Sequence, residues 1–486
     1  GLGQHPYADV IRVTWPNGVN NNRLAVEPGD QILFSKDADI QDGTLIGSCP
    51  FLYAWNGTTF EFISDVLGIT PLGLPMAPGM LVPPDHDEYV LIRGDQLVPK
   101  DGVLEMQVTE ELREVTYLDR VRLDVIDHPA GTEVQPNERF TFPPFPEPHV
   151  HTLRDPLSPL KVTGSDGEDW TAALQSVDGE HASPFKPIGG QYQGMAPHHF
   201  LELAFDPERT KAAKKLRLVC TGWFFWSDAS VNMATSRTPG LEFIPPMLEV
   251  PDGKGGWKVA GPPLGFPAGK TKTMVIDVTE MLDRSDPRMR LSSTLRLYWD
   301  SIRLAVDDDD AGYRTTSLEP TSGDLWLRGF SKPIISERED EPEVFLWDEV
   351  VGEPRWDQHP GMYTKYGECE ALLHDIDDRF VILGSGDCLT LRFDANELPP
   401  VPDGYVRDYL LFLDGWAKDR DPNTVEALRV EPLPFHGMSG YPYGPDESFP
   451  DTPAHQEWNA TWNTRPARCW IAPLSPAAWD AWAQDQ

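Results

Sequence analysis

The chain reads as mainly β, a set of sandwich or jelly-roll domains with one module written twice, and three observations predict it. The first is a repeated phrase: Leu201-Glu-Leu-Ala-Phe-Asp206 followed by Gly222-Trp223, and Leu389-Thr-Leu-Arg-Phe-Asp394 followed by Gly415-Trp416. In each copy an alternating strand ends in Phe-Asp, an apolar run closes on Gly-Trp, and an aspartate follows five residues after the tryptophan, Asp228 and Asp421. A related phrase precedes each copy, Ala172-Ala-Leu-Gln-Ser-Val-Asp178 and Ala371-Leu-Leu-His-Asp-Ile-Asp377. Self-similarity at this length marks repeated supersecondary units. The second observation is composition: 48 Pro and 40 Gly among 486 residues favour short strands and turns over long helices. The third is size, because a chain this long exceeds one ordinary core and predicts several domains.

Taken in order, Asp9-Val-Ile-Arg-Val-Thr-Trp15 alternates as a strand, Pro16-Asn-Gly18 turns, and Gln31-Ile-Leu-Phe34 forms a second strand. From 48 to 160 the expectation is a β-rich domain, opening with the hairpin Phe51–Trp55, Asn56-Gly57, Thr58–Phe62. Runs at 88–93, 103–108 and 117–126 continue it, and the proline-rich 142–148 closes it as a stiff linker. Residues 161–335 hold the first copy as a galactose-binding-like jelly roll. The acidic bridge 336–343 leads to the second copy in 344–486, whose end is loop-rich with a short helix near 476–482.

Gly1-Leu-Gly-Gln-His5, Ala8–Gly18 and Val26-Glu-Pro-Gly-Asp-Gln-Ile-Leu33 resemble the end of an ASPIC/UnbV domain, with its Val-x-Trp-Pro-x-Gly core. The resemblance covers residues 1–47. It implies an exported bacterial protein, related to cartilage acidic protein, in which an FG-GAP-type calcium-binding propeller precedes this region. The opening Gly1-Leu-Gly fits a processed product or part of a longer polypeptide. Long C-terminal extensions of such proteins are similar in kind to the remainder, and an extracellular or periplasmic location follows from the resemblance.

A formal net charge of -36 repels phosphate backbones and anionic bilayers, which argues against a nucleic-acid partner. No apolar run reaches membrane-spanning length. The five cysteines show no CxxC, haem or zinc spacing; they read as small buried hydrophobes, with Cys369 and Cys388 the first pair to test as a disulfide. No nucleotide-binding loop is present: Asp252-Gly-Lys-Gly-Gly256 reads as a hairpin turn.

Asp419, Asp421 and Asn423 stand at alternate positions, the spacing that lets side-chain oxygens converge on structural Ca2+. The segment departs from an EF-hand, since no glycine follows Asn423 and Val430 occupies the place of the bidentate glutamate, so an Asx turn competes with the ion. Asp307–Asp310, the pair His149 and His151, and the pair His198 and His199 are further cation candidates set against solvated or packing roles. Ser439 lacks the second glycine of a nucleophile elbow. Trp223, Asp228 and Trp416 are the ligand-binding candidates, the rings either stacking on a glycan or packing between sheets. The functional expectation is a non-catalytic binding or scaffold protein with a protein or glycan partner. Its alternatives are a carbohydrate-active enzyme with a carboxylate pair in a Trp-lined groove, and a subunit of an extracellular or envelope assembly.

Overall fold

The structure, a computed structural model, describes residues 8–14, 20–26, 50–69, 71–307, 311–334, 336, 338, 341–351 and 356–468. β1 (Ala8–Thr14) and β2 (Asn20–Val26) form an antiparallel hairpin, so the first expected strand is present. The expected strand at 31–34 and the helix at 476–482 lie outside the described residues, as do Cys49 and Cys469.

Four blocks of strands follow. The first is β3 (Phe51–Trp55), β4 (Phe60–Asp65), β5 (Asp87–Ile92), β6 (Val103–Thr109) and β7 (Val115–Pro129). The second is β8 (Lys161–Gly164), β9 (Met195–Ala204) and β10 (Leu216–Phe224). Helix α1 (Ala229–Ser236), capped by Asp228, leads to the third: β11 (Met247–Pro251), β12 (Trp257–Val259), β13 (Lys272–Asp277), β14 (Arg288–Leu295) and β15 (Leu297–Val306). The fourth is β16 (Ser322–Leu327), β17 (Asp387–Asp394) and β18 (Tyr405–Lys418), followed by helix α2 (Pro453–Thr461).

Blocks two and three make one sandwich, with sheets ordered β8-β9-β14-β11-β12 and β13-β10-β15. Blocks one and four make another, with β16-β17-β6-β3-β4 facing β7-β18-β5. These strands run in the same order once β16, β17 and β18 are matched to β8, β9 and β10, and β3–β7 to β11–β15; Gly367–Glu368 beside β16, and Arg314–Leu318 and Val381–Gly384 beside β7, are additions of the second sandwich. All these pairings are antiparallel. The segments expected as separate units, 48–160 and 344–486, therefore supply strands to the same two sheets, because their pairing partners lie at opposite ends of the chain. The other sandwich, contiguous in sequence, sits between them.

Each sandwich buries the alternate residues of its two facing sheets. Leu201, Leu203, Leu218, Cys220, Met289 and Leu304 meet in one core; Met106, Leu123, Leu389, Leu391, Leu411 and Leu413 meet in the other. A hairpin of Phe330–Ile334 and Val344–Val351 covers the outer face of β3 and β4 through Phe330 and Phe345. Cys220, Cys369 and Cys388 are buried free thiols, so the Cys369–Cys388 pair is not a disulfide and the small-hydrophobe role holds for all three.

The matched strands share a local device. Opposite β10, Asp300 is the extra residue of a bulge, between the pairs Thr221 with Ser301 and Gly222 with Trp299. Opposite β18, Asp119 is the extra residue, between Asp414 with Arg120 and Gly415 with Leu118. Glycine is required at both places because a Cβ on Gly222 would press into the Tyr298 carbonyl oxygen, and one on Gly415 into that of Tyr117. Each bulge aspartate then accepts two consecutive backbone N–H groups: Asp178 and Gly179 on Asp300 at 2.9 and 3.1 Å, Asp377 and Asp378 on Asp119 at 2.9 Å each.

Candidate metal centre

The bulge in β18 places Asp414 where three segments converge. Gly415 N–H donates to the His86 carbonyl at 2.7 Å, which ties the residue before β5 to the bulge. The side chain of His86 then meets Asp414 Oδ2 through Nδ1 at 2.8 Å. From the loop after β18, His436 Nε2 meets Asp414 Oδ1 at 2.9 Å, and its Nδ1 meets Asp378 Oδ1 at 2.7 Å. His436 N–H also donates to that Asp378 oxygen, at 2.9 Å, so backbone and ring are held by one carboxylate. Asp119 Oδ2 lies 3.7 Å from His436 Nδ1.

Asp414 is fully buried, whereas the His436 side chain is 21% exposed and that of His86 40% exposed. The centre is thus reached by solvent at both rings, more freely at His86. Trp416 forms its floor, its ring 4.7 Å from that of His436 and 5.8 Å from that of His86, with Phe380 edge-on beneath at 5.9 Å.

Electrostatics follow from this packing. Burial works against a charged His436, yet hydrogen bonds to Asp378 and Asp414 outweigh it and push its pKa up to about 10. Burial also opposes the charge on His86, and Asp414 still raises it. Asp414 is held low by the two imidazoles in spite of burial. Asp119 is pushed up to about 7 by burial, although the Asp378 N–H opposes this, and one of its oxygens, Oδ1, is buried without a hydrogen-bond partner. Among the described residues, two groups of side chains could together hold a metal ion, His86, Asp414 and His436, and Asp119, Asp378 and His436, with ligand atoms within 4.8 Å of one another.

The matched positions of the other sandwich carry no such set. Register places Thr221 where Asp414 stands and Lys272 where His86 stands. Thr221 bonds Thr273 at 2.9 Å, and Lys272 turns to Glu88 and Asp65 of the neighbouring sandwich.

The residues singled out from sequence lie elsewhere, apart from Trp416. Asp228, Asp419, Asp421 and Asn423 come together at a seam between the sandwiches. Asp421 accepts Ser230 N–H at 3.1 Å, Ser230 Oγ at 2.9 Å and Asn423 N–H at 2.7 Å. Asp419 Oδ1 accepts Asp421 N–H at 3.0 Å, and Asn423 Nδ2 donates to Ser230 Oγ at 2.9 Å. The positive charge among these carboxylates is the Arg113 guanidinium, 3.3 Å from Asp228 and 3.7 Å from Asp419. Burial pushes Asp419 up to about 6 even against that guanidinium.

Trp223 and Trp416 are 1% and 2% exposed, so neither ring presents a face for glycan stacking; Trp223 stacks on Tyr298 at 4.6 Å. His149 and His151 pack ring to ring at 4.5 Å, and buried His199 bonds the Pro197 carbonyl at 2.9 Å. Ser439 donates to Glu447 at 2.8 Å. Asp252 accepts the N–H groups of Lys254 and Gly256, closing the expected turn between β11 and β12. Asp307 accepts the N–H groups of Lys214 and Lys215, and Asp308–Asp310 lie outside the described residues.

Sequence reasoning missed His86, Asp119, Asp378, Asp414 and His436. Asp414 directly precedes the repeated Gly-Trp, and the triplet Asp85-His86-Asp87 is a concentration of ligand-type residues; those were the available signals. Comparison with protein-family models and with curated proteins returns no match. Among the described residues, no helix is long and apolar enough to cross a membrane.

Proposed function

We propose that the chain works by holding a ligand: a non-catalytic binding or scaffold protein, built from a doubled two-sheet module, that takes its ligand at the His86, Asp414 and His436 centre. One observation carries the reading. Two partly exposed imidazoles converge on a fully buried carboxylate that a backbone bulge fixes in place. Such a centre is preorganised by the scaffold, with solvent access at the two imidazoles. The doubling is supported by the shared strand order, the two glycine-dependent bulges and the two bulge aspartates that each grip a pair of N–H groups. The resemblance of residues 1–47 to an ASPIC/UnbV domain extends the proposal to an exported protein whose upstream propeller is its neighbour in the same polypeptide.

The test is thermal unfolding of the full chain against a panel of divalent cations, oligosaccharides and acidic peptides, with wild type and His86→Ala compared. His86 is exposed enough for alanine to leave the fold intact. A ligand that raises the midpoint of wild type and not of His86→Ala is expected. A panel that moves neither protein, or both equally, refutes the reading.

A second reading, carbohydrate hydrolysis, has one observation in its favour. Asp85 and Asp87 line a small cleft with Glu138, Glu147 and His149, and burial, then the charge of Asp87, pushes Asp85 up to about 7. Release of reducing sugar from an oligosaccharide, lost in Asp85→Asn, would replace the first reading with this one.

A further inference from the structure

We infer that the ligand at this centre is a borderline divalent transition ion, Zn2+ being the type, held by His86 Nδ1, His436 Nε2 and the Asp414 carboxylate. The inference rests on the proposed binding reading and names its ligand. The donor set is the first argument. Two imidazole nitrogens with one carboxylate suit zinc and its neighbours, whereas calcium and magnesium seek oxygen alone.

Geometry is the second argument. His86 and His436 approach different oxygens of one carboxylate, at 2.8 and 2.9 Å. Each contact is the length of a hydrogen bond. With metal–ligand distances of about 2.0–2.1 Å and tetrahedral angles, nitrogen and oxygen stand about 3.3 Å apart. An ion therefore replaces the bridging protons by widening each nitrogen–oxygen contact by about half an ångström, while the two nitrogens and a carboxylate oxygen, within 4.8 Å of one another, draw in around it, a movement the exposed His86 ring can supply. Three protein ligands leave a fourth position to solvent or to a partner's donor atom, on that same side.

The third argument concerns the ring that must stay still. A metal-bound histidine almost always donates its other N–H to a carboxylate, which fixes the tautomer and the plane. Asp378 already stands in that relation to His436: its Oδ1 lies 2.7 Å from Nδ1 and also holds the His436 backbone N–H. Asp378 itself is pinned by its own N–H on Asp119, with a φ of 62°. It is a positioning residue for the ion. An independent sign of an incomplete site is Asp119 Oδ1, buried with no hydrogen-bond partner behind the same ring.

The experiment is calorimetric titration of chelator-treated full chain with zinc chloride, alongside the visible spectrum of the cobalt-loaded protein. One ion per chain is expected, with weaker binding of Ca2+ and a cobalt spectrum of low coordination number. His436→Ala and Asp414→Asn should abolish both signals, and His86→Ala should weaken binding at least as much as Asp378→Asn. Asp378→Asn should cost about 10- to 100-fold in affinity and keep the cobalt band, since the ligands remain. His374→Ala, a histidine outside the centre that pairs with Glu370, should change nothing. Calcium binding as tight as zinc, or zinc binding untouched by His86→Ala, overturns the inference. Should zinc fail while a glycan or peptide stabilises wild type and not His86→Ala, the ion is wrong and the binding reading stands; failure of every ligand removes both.

Discussion

Arg113 is a buried charge at the seam between the sandwiches, and Arg113→Met removes that charge while keeping most of its bulk. The guanidinium is buried, 3.3 Å from Asp228 and 3.7 Å from Asp419. At an effective dielectric constant of about 20, Coulomb's law gives about 5 and about 4.5 kcal/mol for these two attractions. Burial of the cation opposes them, as it does in Arg113's own proton affinity, where Asp419, Asp228 and Asp421 nevertheless win. Removing one partner of such a group leaves carboxylates buried without a counter-charge, which costs about 3–5 kcal/mol. That loss is expected at pH 8. It should shrink at pH 5, and the sign follows from Asp419. Its folded pKa, about 6, lies above the unfolded value, so the folded state holds the extra proton from about pH 4 to 6. Ionising Asp419 therefore lowers stability as pH rises through that window. Without Arg113 the folded pKa climbs further and the window widens upward, so the variant loses more on going from pH 5 to pH 8 than wild type does. Urea unfolding followed by tryptophan fluorescence at the two pH values measures both quantities. A loss below about 1 kcal/mol at pH 8, the scale of an exposed pair, or the same loss at both pH values, would show that the seam is not held by this charge.

Two further expectations follow from buried groups. Burial pushes Glu110 and Glu138 up to about 8, so both keep a proton in the folded state that the unfolded chain releases near pH 4–5. Their contribution is complete at low pH and is lost as pH rises through about 8; the urea midpoint should be higher at pH 5.5 than at pH 8.5, and Glu138→Gln should flatten the dependence. A midpoint that climbs over this range contradicts the assignment. Gly415→Ala drives a methyl into the Tyr117 carbonyl and should cost about 1–3 kcal/mol through overpacking, together with ligand affinity at Asp414. Gly404→Ala, in open space at a φ of 77°, should cost only the left-handed penalty of about 1–2 kcal/mol and leave affinity alone; equal ligand binding by the two variants would detach the bulge from the site.

The strands were legible because alternation and glycine are local. Phe51–Trp55, Leu201–Asp206, Leu389–Asp394 and the runs ending at Gly222-Trp223 and Gly415-Trp416 all lie in strands or at their ends. Pairing was not legible: β7 joins β18 through Tyr117 with Trp416 and Val125 with Tyr409, contacts almost three hundred residues apart that no local pattern encodes. Helix α2 was also missed, though Thr452 caps it and Pro453 opens it, because the surrounding prolines and glycines read as loop. The site escaped for a related reason. A doubled pattern draws attention to what the copies share, Trp223 with Trp416 and Asp228 with Asp421, and those residues support the core and the seam. The centre lies where the copies differ, Asp414 against Thr221 and His86 against Lys272, and its third member sits in the loop after β18.

The nesting of one sandwich inside the other sets an order of assembly during synthesis. The inner unit is complete once Val306 has left the ribosome, whereas β7 waits for Tyr405–Lys418 to emerge. Through that interval β3–β7 keep unpaired edges, the state most open to mispairing with another nascent chain. After the inner unit closes, Arg314–Leu318 pairs with β7, Arg314 opposite Asp127 and Leu318 opposite Leu123, which shortens the search that β18 must make and turns an insertion that separates the partners in sequence into the device that delivers them to each other.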